Sequence, residues 1–144
     1  MCTPVPAGLV SWWRWGGSPI DNWSSNNADL FGSPQFSLGE VGHSLLLDGV
    51  GQYAKVGASN SLNVGIAGGF TIDMWINPAD TTVEHPLAEC SACTPFQTHF
   101  WHSVMGSSGG GLGNLYANIL SPKGASYCVF SAPGLVRTFG STPP

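Results

Sequence analysis

The sequence predicts an all-β protein, two antiparallel sheets packed as a sandwich or jelly roll. Glycine and proline are abundant, 20 and 11 of 144 residues, and they cut the chain into short pieces. Those pieces alternate apolar and polar side chains, the period of a strand with one buried face, and no helical period survives the interruptions. They recur about every ten residues, as strands do in two-sheet sandwiches.

The first strand is GLVSWWRW, with Leu9, Ser11 and Trp13 on one face and Val10 and Trp12 on the other. SPIDNWSSNNAD is a polar loop, dense in residues that build Asx-turns. LFGSPQFSL, HSLLLD and QYAKV follow as short extended segments. In LLLDGVGQYAKV the Asp48-Gly49 pair reads as a turn between a strand and its return strand, where Tyr53 and Lys55 alternate with Ala54 and Val56. SNSLNVG is the next turn, with Leu62 directed to the core. FTIDMWINP is the cleanest strand, Phe70, Ile72, Met74 and Ile76 alternating with Thr71, Asp73, Trp75 and Asn77 until Pro78 ends it. PLAE, FQTHFWHSVM, a flexible SSGGGLGN, LYANIL and SYCVFS complete the series. Pro122 and Gly124 punctuate the five-residue connection SPKGA, so LYANIL and SYCVF read as a hairpin. The expectation is a single domain over 1–144, with flexible or edge-pairing termini at 1–7 and 138–144.

Charged residues are 8% of the chain and aromatics 11%, the profile of a folded β protein and not of a disordered one. The net charge of -4 and four scattered cations, Arg14, Lys55, Lys123 and Arg137, offer no phosphate-binding patch, which argues against nucleic acid. No apolar run reaches the roughly 18 residues of a membrane helix, so no membrane insertion is expected. Cys2, Cys90, Cys93 and Cys128 in a Ser-, Thr- and Pro-rich chain fit an oxidising, extracellular or cell-surface location. They allow three disulfide pairings, of which Cys90 with Cys93 and Cys2 with Cys128 is favoured. Asn22-Trp23-Ser24 is an N-glycosylation acceptor, and TPVP and STPP are candidates for O-linked sugar.

Catalytic chemistry finds little support. Sugar hydrolysis needs two carboxylates facing one groove about 5 to 10 Å apart. Glu84 and Glu89 straddle a Pro-containing loop, Asp73 and Asp80 flank a turn, and neither pair has that spacing. No nucleophile turn with a Ser, His and acid set is present. Cys90, Cys93, His99 and His102 lack zinc-finger spacing, and the histidines, three apart on a strand, fall on opposite faces. Six tryptophans suggest sugar stacking. Trp12, Trp13, Trp75 and Trp101 are expected chiefly to pack the sheets, whereas Trp15 and Trp23, in loops, are the candidates for ligand contact. His43 and His85 read as surface or satisfied groups.

The order of motifs, GLVSWW, NNADLFG, GEVGHSLLLDGVGQYAKV, NSLNV and FTIDMWINPAD, resembles the bacterial branch of the laminin-G-like, concanavalin-A-like jelly-roll family. LYANIL with SYCVFSAPGLV is similar to that family's next hairpin. The resemblance implies a jelly-roll β-sandwich, a fold that hosts lectins, enzymes, adhesion modules and spacers alike. Without a carboxylate pair, the expectation is a binding or adhesive module that contacts glycans or surface proteins without catalysis. The resemblance also implies a calcium ion at the sandwich rim, for which Asp21, Asn26, Asn27, Asp29 and Asp48 are candidate ligands. Two departures stand out: Gly51-Gln52 precede Tyr53 where the family carries a second acid, and the chain ends in RTFGSTPP where the family continues through further strands. The first makes Asp48 a turn residue before it is a metal ligand, and no cofactor is certain. The second implies open sheet edges, hence an alternative expectation of a subunit that completes its sandwich as a homo-oligomer or fibre.

Overall fold

Eight strands and a single short 3-10 turn make up the regular structure of the computed structural model, which describes residues 4–64, 70–79, 85–90, 97–103, 114–120 and 126–130. The all-β class follows directly, and among the described residues no helix is long and apolar enough to cross a membrane. The chain divides into two units, Met1–Asn63 and Val64–Pro144.

The first unit is built on a nested β-ribbon. β1 (Ala28–Phe31) pairs antiparallel with β4 (Tyr53–Val56), and between them β2 (Gln35–Leu38) pairs antiparallel with β3 (His43–Leu46). One hairpin therefore lies inside another. The inner turn is Gly39-Glu40-Val41-Gly42, closed by the Gly39 N–H donating to the Gly42 carbonyl at 2.9 Å. Phe31 and Tyr53, register partners at the end of the outer ladder, stack with ring centroids 4.7 Å apart and planes 8° from parallel. Tyr53 and Lys55 are exposed while Ala54 and Val56 are half-buried, the alternation expected for this strand.

The two ladders are separated by an interruption in which Gly32, Ser33 and Pro34 stand against the longer stretch from Leu47 to Gln52. Here the expected Asp-Gly hairpin is corrected: β3 and β4 are not partners, and Asp48-Gly49 lies in a bulge within the ribbon. The local chemistry is still that of a turn. Asp48 Oδ1 accepts the Val50 N–H at 2.8 Å, Gln52 Oε1 accepts the Asp48 N–H at 2.9 Å, and Gly49 and Gly51 take positive φ of 75° and 78°. On the opposite side Gly32 and Ser33 also take positive φ. Extra residues on one side of a ladder bend and twist it, and glycine makes the required backbone accessible.

Two other elements differ from expectation. Of GLVSWWRW only Trp13 pairs, through an isolated antiparallel bridge to Asp21. FTIDMWINP forms no ladder: residues 70–79 are described without a strand, and Ile72, Met74 and Trp75 are exposed. Alternation selects a face but does not by itself make a ladder. SNSLNVG is a turn as expected, with a 3-10 turn at Asn60–Leu62 capped by Ser59, and Leu62 is half-buried.

The second unit contains a four-stranded antiparallel meander, β5 (His85–Cys90), β6 (Gln97–Ser103), β7 (Asn114–Leu120) and β8 (Ser126–Phe130). The expected hairpin of LYANIL with SYCVF is β7 paired with β8, from Leu120 opposite Ser126 to Tyr116 opposite Phe130. Pro86 falls in β5, an edge strand, beside a register shift between Pro86 and Ala88, the position where a missing N–H costs the ladder least.

Gly32 offers a direct test of the bulge. A Cβ at this position would stand 2.8 Å from the Gly51 carbonyl oxygen, on a backbone with φ of 75°. Gly32→Ala is expected to destabilise the first unit by about 2 kcal/mol or more, whereas Gly49→Ala, with open space around it, should cost only about 1 kcal/mol. Urea unfolding of both variants measures the difference, and equal costs would remove the close contact as the cause.

Candidate functional site

The polar loop between the Trp13 bridge and β1 is organised by two buried polar side chains, Asp21 and Asn26, 7% and 6% exposed. Asp21 Oδ1 accepts the N–H groups of Trp12 and Trp23, each at 2.9 Å, and Oδ2 accepts the Asn26 N–H at 3.2 Å. Asn27 Oδ1 in turn accepts the Asp21 N–H at 2.9 Å. The Asn26 amide reaches the other way: Nδ2 donates to the hydroxyls of Ser11 and Ser61 at 2.7 and 3.0 Å, and Oδ1 accepts from Ser59 and Ser61. The Trp13 indole N–H donates to the Asn26 carbonyl at 2.7 Å. Together these bonds tie the segment 11–13, the loop 21–28 and the turn 59–61 into one network. Ala28, a buried hydrophobic residue, lies beside it in sequence.

Burial alone would raise the Asp21 pKa. Bonds from the Trp12, Trp23 and Ser24 backbone and from the Ser11 side chain outweigh it and lower the pKa from the ordinary 3.8 to about 2.

This anchored loop forms one wall of a cleft of about 290 Å³, and the tip of the inner hairpin forms the other. Arg14, Ser18, Asn22 and His43 supply its polar lining, Ile20 and Val41 its apolar lining. The Arg14 guanidinium lies over the Trp12 ring, 5.3 Å from its centroid, and Asn22 Oδ1 faces the Arg14 N–H at 3.4 Å. Trp12 and Trp23, 47% and 52% exposed, flank Arg14 and Asn22 in sequence. Trp15, next to Arg14, is half-buried and held at φ of 53°, an uncommon backbone for a bulky side chain, with the Gly17 N–H donating to its carbonyl at 2.8 Å.

The residues singled out from the sequence fall in different places. Of the calcium candidates, Asp21 and Asn26 come together, but their oxygens already serve backbone N–H and hydroxyl donors, which a cation would have to displace. Asp29 is exposed on β1 opposite Lys55, and Asp48 is exposed in the bulge. Among the described residues no three His, Cys, Asp or Glu side chains cluster to hold a metal ion. Asn22, the glycosylation candidate, lines the cleft, and Trp23 follows it in sequence, 52% exposed. Cys90 ends β5 and Cys128 lies in β8; Cys2 and Cys93 lie outside the described residues, as do Asp80 and Glu84. Arg14 and His43 were not foreseen as a pair. Nothing in their spacing signals it, because only the nested ribbon brings the start of β3 to the loop.

Comparison with protein-family models, with curated proteins and with solved structures returns no match.

Asp21→Asn keeps the shape but replaces one acceptor by an NH2 group facing a backbone donor. It is expected to cost about 1–3 kcal/mol. Because the folded pKa lies below the unfolded one, the carboxylate's contribution is complete above pH ~4 and is lost as pH falls toward ~2. Acid titration of stability should therefore be flatter in this range for Asp21→Asn than for the parent. Identical slopes would rule out Asp21 as the acid-sensitive group.

Proposed function

We propose that the protein is a non-catalytic extracellular binding or adhesion module, a laminin-G-like β-sandwich that contacts a glycan or a surface protein through its rim loops. The observation that supports this reading is the cleft between the loop 14–22 and the hairpin tip. Its lining sets a small group of polar side chains that can orient a ligand beside Ile20 and Val41. The exposed indoles of Trp12 and Trp23, a type of side chain that stacks on the C–H faces of sugars, adjoin its lining residues, Trp12 beneath the Arg14 guanidinium and Trp23 next to Asn22 in sequence. Among the described residues the cleft lining holds no carboxylate, whereas sugar hydrolysis needs an acid pair. The ordered motifs from GLVSWW to FTIDMWINPAD favour the family assignment, and the all-β structure is compatible with it.

A glycan array, run once with calcium and once with chelator, tests the proposal. One class of glycan is expected to bind in both conditions, and Trp12→Ala and Trp23→Ala should each weaken it roughly 2- to 10-fold. An array blank in both conditions, with no surface protein captured, would overturn it.

A second reading, a structural subunit that self-assembles into an oligomer or filament, is favoured by one observation. The ribbon leaves Leu38, Val41 and Val50 72–82% exposed, with Leu46 and Leu47 about half exposed. Apolar side chains on a ribbon whose ladders are two-stranded among the described residues invite a partner of the same kind. Light scattering and electron microscopy of the purified protein separate the readings: an ordered assembly supports the second, and a monomer at working concentration removes it.

A further inference from the structure

We propose that the cleft is a site for a sugar acid, a pyranose bearing a single carboxylate, with Arg14 as the group that selects the acid. The inference rests on the reading of the protein as a glycan-binding module and adds the chemical class of its ligand.

The lining is rich in donors. Arg14 offers five N–H groups in a planar fork, Asn22 an amide NH2, Ser18 a hydroxyl, and His43 at least one ring N–H in either protonation state. Among the described residues no Asp or Glu lines the cleft to satisfy them. A ligand with paired acceptors fits such a wall, and a carboxylate matches a guanidinium fork two bonds at a time. The fork is also positioned in advance. Its contact with the Trp12 ring at 5.3 Å restrains a long side chain that would otherwise sample many rotamers, so less freedom is lost on binding. Ile20 and Val41 leave an apolar strip for the ring's C–H face.

Charge and size limit the ligand further. The chain carries four Lys and Arg against eight Asp and Glu, and of the described cations, Arg14 and Lys55, Arg14 lines the cleft. A polyanion needs several cations in a row, whereas one carboxylate needs one. The volume, about 290 Å³, lies at the low end of ligand pockets, about 300–1,000 Å³, and suits one sugar unit better than a peptide or a chain of sugars.

The test is an NMR titration of full-length protein, made in a host that does not glycosylate Asn22, with methyl glucuronide and with methyl glucoside. The glucuronide is expected to bind about 10-fold more tightly, since a charge-assisted pair separates the two ligands. Arg14→Gln, at an exposed position, should erase that difference, bringing the glucuronide down to the affinity of the glucoside in the same variant, and Arg14→Lys should recover only part of it. Equal affinities for the two sugars in the parent protein, or a preference that survives Arg14→Gln, would overturn the sugar-acid inference while leaving the glycan-binding reading intact. Binding of neither sugar would likewise overturn the sugar-acid inference, and the glycan-binding reading then stands or falls on the array alone.

Discussion

The first unit depends on one carboxylate placed where backbone donors converge. A loop of this length has more N–H groups than it can pair with its own carbonyls, and orphaned ones are costly once water is excluded. Asp21 resolves this by accepting from Trp12, Trp23 and Asn26 with its two oxygens. Asn26 then extends the same solution to the serines at 11, 59 and 61. The interior of this unit is thus organised by hydrogen bonds alongside little apolar packing, with Ala28 and Pro34 as the buried apolar residues among those described. A network of this kind fixes geometry sharply, because each unpaired member would be penalised.

That sharpness links the fold to the cleft. Trp12 and Trp23 both give their backbone N–H to the same Asp21 oxygen, so the two indoles leave the loop from fixed points. Arg14 follows Trp13, whose side chain is fastened to the Asn26 carbonyl. The wall of the cleft is therefore carried on backbone that has little freedom to rearrange, as a binding site on a loop requires.

The parts of the fold legible in the sequence are those decided locally. QYAKV and the LYANIL–SYCVF hairpin are strands as read, since alternation and turn residues within a few positions determine them. Pairings decided at a distance were not legible. Asp48-Gly49 has the composition of a hairpin turn, yet its flanking strands choose β1 and β2, because partner choice depends on the whole nested ribbon and not on the turn alone. FTIDMWINP has the best alternation of any segment and no ladder. At the site, Trp23 and Asn22 were visible as loop residues, and the role of Asp21 was visible only as that of an oxygen donor set. The buried pairing that makes it an acceptor for the backbone follows from where the chain passes, and so does the meeting of Arg14 with His43.

The nesting of the ribbon also orders its assembly in time. The inner ladder closes a loop of only a few residues, Gly39 to Gly42, which costs little chain entropy, while the outer ladder joins segments separated by the entire inner hairpin. Once the inner pair has formed, the separation that β1 and β4 must bridge shrinks to the bulge. The stacked rings of Phe31 and Tyr53 then lie close to the end of a zipper already started. Because the Asn26 network reaches across to Ser59 and Ser61, beyond the far end of β4, it is completed only after the outer ladder is in register. The loop side of the cleft is in this sense the last part of the unit to be built, set against a hairpin tip that is among the first.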